Sequence, residues 1–296
     1  MGRYPARVEA WGHVAAFAAS RTYHRLACAI EDAGFEIRDQ IDWVYASGMP
    51  HGSDASLLVD RELGTKGRGA GTANGQAEQW AGWYSQLKPA HEPICLARKP
   101  LDGNLAHNLL EHGTGVLHAD FGSGPRDNHV YGANNANRTD YKADARFAPN
   151  MLFDQIMAGE LDQQSGVTVS RKGKPRTSAK SGDGWGMTHT GAEYDDMGGA
   201  SRFYPVFEYC PKAPSAERPK VDGILHPTVK PVELMRWLVR LITPTGGLVL
   251  EPFAGSGTTL EACLLEHMQC TASELDPDYI KLIHARLSKP IQNELF

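Results

Sequence analysis

The stretch LVLEPFAGSGTTLEAC, residues 248–263, begins with an apolar run and an acid, passes through Gly-Ser-Gly and continues into a helix-forming segment. It reads as strand, tight turn and helix, the way many nucleotide sites are built. Gly255 and Gly257 let the backbone turn sharply and approach a ligand. The third glycine of a dinucleotide fingerprint is missing, because Thr258 and Thr259 follow directly, so a pyrophosphate is not the expected ligand. The next helix carries Leu260, Cys263, Leu264 and Met268 on one face, and the chain then reaches Glu274, close to the spacing at which an acid meets ribose hydroxyls. Glu251 and Glu274 thus frame the loop. A ligand with a nucleoside, an amino group and a sulfonium cation suits that frame better than a phosphate-rich one. Units of this kind usually open a chain, and this one lies in the last sixth.

Working outward, HPTVKPVELMRWLVRLI places Pro231 and Glu233 in a first helical turn and aligns Leu234, Met235, Leu238, Leu241 and Ile242 in one apolar stripe. At the other end of the chain, HVAAFAA (13–19) is a buried-strand run. A helix is expected after it, with Ser20 as N-cap, Tyr23, Leu26, Ala27 and Ile30 at helical spacing, and Gly34 as the stop. EIRDQIDWVYA alternates, with Ile37, Ile41, Trp43 and Tyr45 on or near one face. A Gly-rich loop follows over 64–75, then a short strand centred on Ile94 to Ala97. Residues 102–222 turn to Gly, Asn, Asp, Ser and Pro, with only short apolar pieces such as NMLFDQIM and SRFYPVFEYC. So much irregular chain reads as a recognition region, with a poorly ordered insertion as the bland alternative.

The whole chain has 296 residues, 41% of them hydrophobic, enough for one large or two small domains with a real core. No apolar run reaches the roughly 18 residues of a membrane span, and the first residues lack the apolar middle of a secretory signal, so no membrane and a cytoplasmic location are expected. Five scattered cysteines without a Cys-x-x-Cys pair suit reduced packing residues and no metal site. The net charge of -5 argues against a general nucleic-acid coat protein but leaves room for a local basic face.

These segments carry a resemblance. HPTVKPVELMRWLVRLITPTGGLVLEPFAGSGTTLEAC looks like the cofactor-binding half of the amino-group DNA methyltransferases that modify adenine N6 or cytosine N4. ASRTYHRLACAIEDAGFEIRDQIDWVYASGMP and LKPAHEPICLARKP look like the middle of phage and bacterial members of that family. In its permuted (beta) class the catalytic half precedes a target-recognition insert and the cofactor loop comes last, which accounts for the late position of the loop. The implied fold is α/β: a Rossmann-like, circularly permuted, S-adenosylmethionine-dependent methyltransferase sheet with an irregular insert. It divides into residues 1–101 and 223–296, two parts of one sheet, around 102–222 for target recognition.

The resemblance also implies roles. Glu251, Phe253, Gly255, Ser256, Gly257 and Thr258 fall in the first cofactor motif, and Glu274 stands as the ribose-binding acid. His226, Thr228 and Lys230 belong to the segment closing over the methionine end of S-adenosyl-L-methionine. Core packing is the alternative for Phe253, and a solvated helix start for His226 and Lys230. Arg171, Lys172, Lys174 and Arg176 form a basic run suited to the phosphates of double-stranded DNA, or a merely solvated charge run. A homodimer or a complementary subunit is the further partner expected.

One departure matters more than the match. The family carries Asp/Asn/Ser-Pro-Pro-Tyr/Phe, whose first side chain and a proline carbonyl accept hydrogen bonds from the target amino group while the aromatic ring stacks on the flipped base. No Pro-Pro pair occurs in this sequence, and only 12 residues precede the first strand. No catalytic residue is assigned. The sheet is expected to be incomplete at its centre, beside the strand bearing Glu251. Three accounts stay open: a fragment of a longer methyltransferase, a degenerate member that binds cofactor or DNA without catalysis, and one half of a split enzyme. A DNA-binding module without cofactor, and a methyltransferase of RNA or small molecules, are the readings from other classes. Adenine is favoured over cytosine as the target.

Overall fold

The computed structural model describes residues 12–46, 48, 51–64, 75–119, 148–169, 197–207 and 218–288. The first strand, β1 (His13–Phe17), is followed by α1 (Tyr23–Asp32), which Gly34 terminates at φ +87°. Thr22, not Ser20, is the N-cap, because the Ala19 carbonyl first collects the N–H groups of Thr22 and Tyr23 in a turn that holds Ser20 outside the helix. β2 (Glu36–Val44) buries Ile41 and Trp43. A register shift between Ile37 and Asp39 takes Ile37 off this pattern and leaves it more exposed.

Two helices, α2 (Ala55–Glu62) and α3 (Gly75–Glu78), precede β3 (His91–Arg98). β3 lies between β1 and β2, antiparallel to both. Ile94 and Leu96 on one face and Cys95 and Ala97 on the other are all buried, and burial of both faces is why this stretch is an unbroken apolar run. Pro93 is tolerated inside this central strand because its backbone faces the point where β1 has ended: its carbonyl takes the Ala18 N–H at 2.9 Å, and the missing donor falls on the same side.

After α4 (Leu105–His112), capped by Asn104, the short apolar pieces of the irregular region return to the same sheet. β4 (Met151–Asp154) runs parallel to β2, and β7 (Val206–Phe207) parallel to β4. The order is β1-β3-β2-β4-β7. Between them lie α5 (Gln155–Ser165), the small antiparallel pair of β5 (Thr168–Val169) with β6 (Met197–Gly198), and a 3-10 turn at Ala200–Phe203. Asp154, buried at the end of β4, caps α5 through the Met157 N–H at 2.7 Å and takes the Ala46 N–H at 3.2 Å.

The last part contains α6 (Val232–Ile242), β8 (Leu248–Glu251), α7 (Thr258–Leu265), β9 (Gln269–Ala272) and α8 (Pro277–Leu287). β8 and β9 pair in parallel as a sheet of their own, not hydrogen-bonded to the larger one. α6 joins the two. Its Leu234, Trp237, Leu238 and Leu241 pack on Ile41, Trp43, Ile94, Leu96 and Leu152 of the large sheet, while Val239 packs on Ala262 and Cys263 of α7. Met235 touches both clusters. Each large apolar side chain buried in this way contributes about 1.5–3 kcal/mol, which makes α6 the principal tie between the two parts.

The four cysteines among the described residues are free thiols, with Cys95 and Cys263 buried and Cys28 exposed. No described helix is long and apolar enough to cross a membrane.

Candidate functional site

The loop between β8 and α7 is held open by two carboxylates that act differently. Ser273 N–H reaches the Glu251 carbonyl at 2.9 Å and Ala254 N–H reaches the Ser273 carbonyl at 3.0 Å, so the two strand ends stay together as the chain leaves them. Glu251 is committed to the loop: Oε1 accepts the Phe253 N–H at 2.9 Å and Oε2 the Thr259 hydroxyl at 2.7 Å. Glu274 reaches across from β9, accepting the Gly255 N–H at 2.6 Å on Oε2 and the Leu275 and Asp276 N–H groups at 2.8 and 3.0 Å on Oε1. Burial alone would raise the Glu274 pKa, but these three donors and the nearby His226 outweigh it and lower the pKa. Glu274 is therefore ionised at neutral pH and offers only acceptor lone pairs.

The two loop glycines serve different neighbours. Gly255 has φ +55°, and a Cβ there would stand 3.0 Å from His226 Nε2. Gly257 has φ +83°, and a Cβ there would meet Ile283 of α8 at 3.3 Å. Gly255 thus keeps space on the His226 side, whereas Gly257 lets α8 pack. Ser256 and Thr258 are buried. The Ser256 carbonyl accepts from Arg286 Nε at 2.8 Å, and Arg286 is in turn ion-paired with Glu261. Phe253, for which core packing was one expectation, is 86% exposed, and Leu275 just past Glu274 is 96% exposed.

His226 lies over this loop. Its Nδ1 accepts the Thr228 N–H at 3.2 Å, so the neutral ring carries its proton on Nε2, toward Gly255. Tyr279 of α8 packs against the ring with centroids 4.6 Å apart. Burial lowers the His226 pKa; the Glu274 charge opposes that shift and the Lys230 charge adds to it. At neutral pH His226 is a neutral Nε2–H donor.

Lys230, four residues on, turns toward the large sheet. Its ammonium is ion-paired with Glu92 Oε2 of β3 and lies 4.7 Å from the centroid of the Phe17 ring at the end of β1. The expected cofactor residues therefore form two adjoining groups. Glu251, Gly255, Glu274 and His226 gather at the loop, while Lys230 stands at the junction with β1 and β3. Arg171, Lys172, Lys174 and Arg176 lie outside the described residues. Tyr279, Arg286 and Glu92 were not singled out in the sequence: the first two sit within an ordinary amphipathic helix, and Glu92 gains meaning only through a partner 138 positions away.

The sequence profile of the DNA methylase family, N6/N4 type, matches residues 10–285. The chain belongs to this family. Members of the family are S-adenosylmethionine-dependent DNA methyltransferases. Among its relatives, the type II methyltransferase M.HindIII of Haemophilus influenzae is 23% identical over 249 residues, covering 83% of this chain and 53% of that protein. The chain thus spans about half the length of that relative. M.XycI of Xanthomonas campestris pv. cyanopsidis is 42% identical over 62 residues, 21% of either chain. M.ScaI of Streptomyces caespitosus is 30% identical over 88 residues, 30% of this chain and 29% of that one. Of solved structures, the M1.HpyAVI–SAM complex aligns at a TM-score of 0.41 and 16% identity, covering 94% of this chain and 75% of that one. The cytosine-N4-specific PvuII DNA methyltransferase aligns at 0.39 and 12% identity, covering 97% and 65%.

Proposed function

We propose that this chain binds S-adenosylmethionine in the loop around Gly255 and belongs to a machine that methylates an exocyclic amino group of double-stranded DNA, adenine N6 before cytosine N4. The observation that carries this is Glu274 holding the Gly255 N–H at the carboxyl ends of two parallel strands, the place where such sheets bind nucleosides. The residues present fit that ligand. Glu274 keeps one acceptor position, on Oε2, for a ribose hydroxyl, Gly255 leaves the space a Cβ would fill, and the exposed Phe253 and Leu275 offer apolar surface to a flat base. When bound, the cofactor supplies a methyl group activated on a sulfonium. The chain's own contribution is to orient it: the carboxylate fixes the sugar and the His226 Nε2–H limits the loop's other side.

We further propose that the sheet is permuted and lacks its central strand, so that the chain alone is inactive. The absence of a Pro-Pro pair supports this, as do the two separate sheets. Among the described residues, the outer edges of β1 and β8 pair with no other strand, and Leu248 and Leu250 of β8 are 54% and 42% exposed. An exocyclic amino group conjugated into a base is a poor nucleophile. Losing one preorganised acceptor costs on the order of a hundredfold in rate, and here several acceptors would be missing together. Residues 102–222 would read the DNA. A catalytically silent or split-enzyme subunit that binds cofactor and DNA is the second reading, favoured by the same two open edges. Calorimetry should detect S-adenosylmethionine binding, while tritiated methyl incorporation into mixed-sequence DNA should stay at background. No binding would sink the cofactor reading, and turnover by the purified chain would sink the reading of inactivity.

A further inference from the structure

Two thiols face each other behind the glycine loop. Cys263, on α7, is fully buried, and Cys270, on β9, is partly open to solvent. Cys270 packs against the small core that holds Val239, Ala262 and Cys263, and the Cys263 S–H donates a hydrogen bond to the Cys270 sulfur. That bond raises the Cys263 pKa, with burial adding to it, and lowers the Cys270 pKa against the opposing effects of burial and the Glu251 charge. The turn between them is tight, since the Met268 N–H closes on the Cys263 carbonyl at 2.8 Å. β9 is fixed by its register with β8, Cys270 standing opposite Val249. α7 carries Thr259 one turn before Cys263, and the Thr259 hydroxyl holds Glu251 Oε2 at the start of the loop.

We propose that Cys263 and Cys270 form an oxidation site that hydrogen peroxide closes to a disulfide, and that closure loosens the Gly255 loop and weakens its ligand; the effect on the ligand rests on the reading that this loop takes S-adenosylmethionine. The Cys270 thiolate attacks one peroxide oxygen, the O–O bond breaks, and the departing hydroxide takes up a proton as water, leaving a sulfenic acid. The Cys263 sulfur then attacks the Cys270 sulfur, the S–O bond breaks, and the Cys263 proton leaves with the hydroxide as a second water. Two electrons pass in all from the sulfurs to the peroxide. Thiols in apolar surroundings are ordinarily inert. Here one of the two can be reached, and its partner is already in hydrogen-bond contact, so the second step needs no rearrangement of the chain to bring the sulfurs together. A disulfide holds its sulfurs about 2.05 Å apart, well inside hydrogen-bond contact. With β9 fixed, α7 is the element that moves, and Thr259 moves with it off the carboxylate that also accepts the Phe253 N–H.

The test uses the full chain carrying Cys28→Ser and Cys210→Ser, so that the exposed thiol and the one at position 210 do not compete. After hydrogen peroxide, mass spectrometry of an unreduced digest should show residues 263 and 270 joined with the loss of two hydrogens, and dithiothreitol should reverse it. Hydrogen exchange over residues 252–259 should quicken on oxidation, a readout that needs no ligand. Calorimetry should show S-adenosylmethionine bound about tenfold more weakly by the oxidised form, with affinity restored on reduction. Cys263→Ala and Cys270→Ser should each bind as the reduced parent does and lose the response to peroxide. Failure of the 263–270 disulfide to form overturns the proposal. A disulfide that alters neither exchange nor affinity overturns the coupling to the loop. A reduced parent that binds no S-adenosylmethionine sinks the cofactor reading alone, since the disulfide and the quickened exchange still decide the oxidation site.

Discussion

Arg286, near the end of α8, donates through Nε to the carbonyl of Ser256 at 2.8 Å, and this bond, with both residues buried, ties the glycine loop to the last helix. The same guanidinium is ion-paired with Glu261 of α7. One side chain therefore fixes the loop, the helix that follows it and the helix that covers it. Arg286→Ala would strand a buried carbonyl and leave Glu261 without its partner. Because Glu261 is partly solvated, the expected loss is about 2–3 kcal/mol, short of the full cost of breaking a wholly buried pair. Urea unfolding of the variant should show the midpoint falling, and cofactor affinity should fall with it. An unchanged midpoint would mean that the loop holds its shape without this tie.

Gly255→Val and Gly257→Ala should fail in different ways. The first places a branched side chain at φ +55° against His226 Nε2, so cofactor binding should be lost. The second drives a methyl toward Ile283 at φ +83°, and should cost about 1–2 kcal/mol of stability, with binding reduced only in proportion. Calorimetry and thermal melts on both proteins check the pair; unchanged binding by Gly255→Val would remove the loop from the site.

Stability should also fall on the acid side of neutrality through His13. Burial, then the charges of Arg98 and Arg38, push its pKa from 6.5 down to about 4. Between those values the unfolded chain holds a proton that the folded chain does not, so the stabilisation is complete above about pH 6.5 and disappears as the pH falls toward 4. With the partial exposure of the ring discounted, the change is roughly 2 kcal/mol. His13→Asn should lack this part of the slope when unfolding free energy is followed from pH 7 to pH 4.

The basic run of Arg171, Lys172, Lys174 and Arg176 is proposed to neutralise DNA phosphates. Deleting residues 171–176 should weaken binding and flatten the dependence of log K on log salt by about 0.9 for each phosphate that is no longer neutralised. Fluorescence anisotropy across a salt series measures this, and an unaltered slope would leave the run as solvated surface.

The elements legible in the sequence were those whose signal is local. The apolar stripe of Leu234, Leu238 and Leu241 announced α6, and the apolar run of Ile94 to Ala97 announced a short strand, whose burial on both faces the structure then adds. Gly255 was legible because a tight turn needs its backbone freedom. β4 and β7, four and two residues long, are too short to show a period and became strands only because β2 offered an edge. Pairings across long separations left no trace: Lys230 and Ser256 stood out in the sequence, but their partners Glu92 and Arg286 look like ordinary surface charges. Glu251 was legible as a frame residue, but not that Phe253 and Thr259 would occupy both its oxygens, since side-chain direction is set by the turn itself.

The outer edges of β1 and β8 bear on how the purified protein behaves at high concentration. Neither HVAAF nor LVLE carries the lysine, proline or bulge with which natural edge strands repel unwanted neighbours. Among the described residues their outer backbone groups pair with no other strand, which favours strand-to-strand association between molecules that grows with concentration. Turbidity and light scattering would register it before any assay of methyl transfer, and a segment that filled both edges would be recognised first by its power to keep the protein in solution.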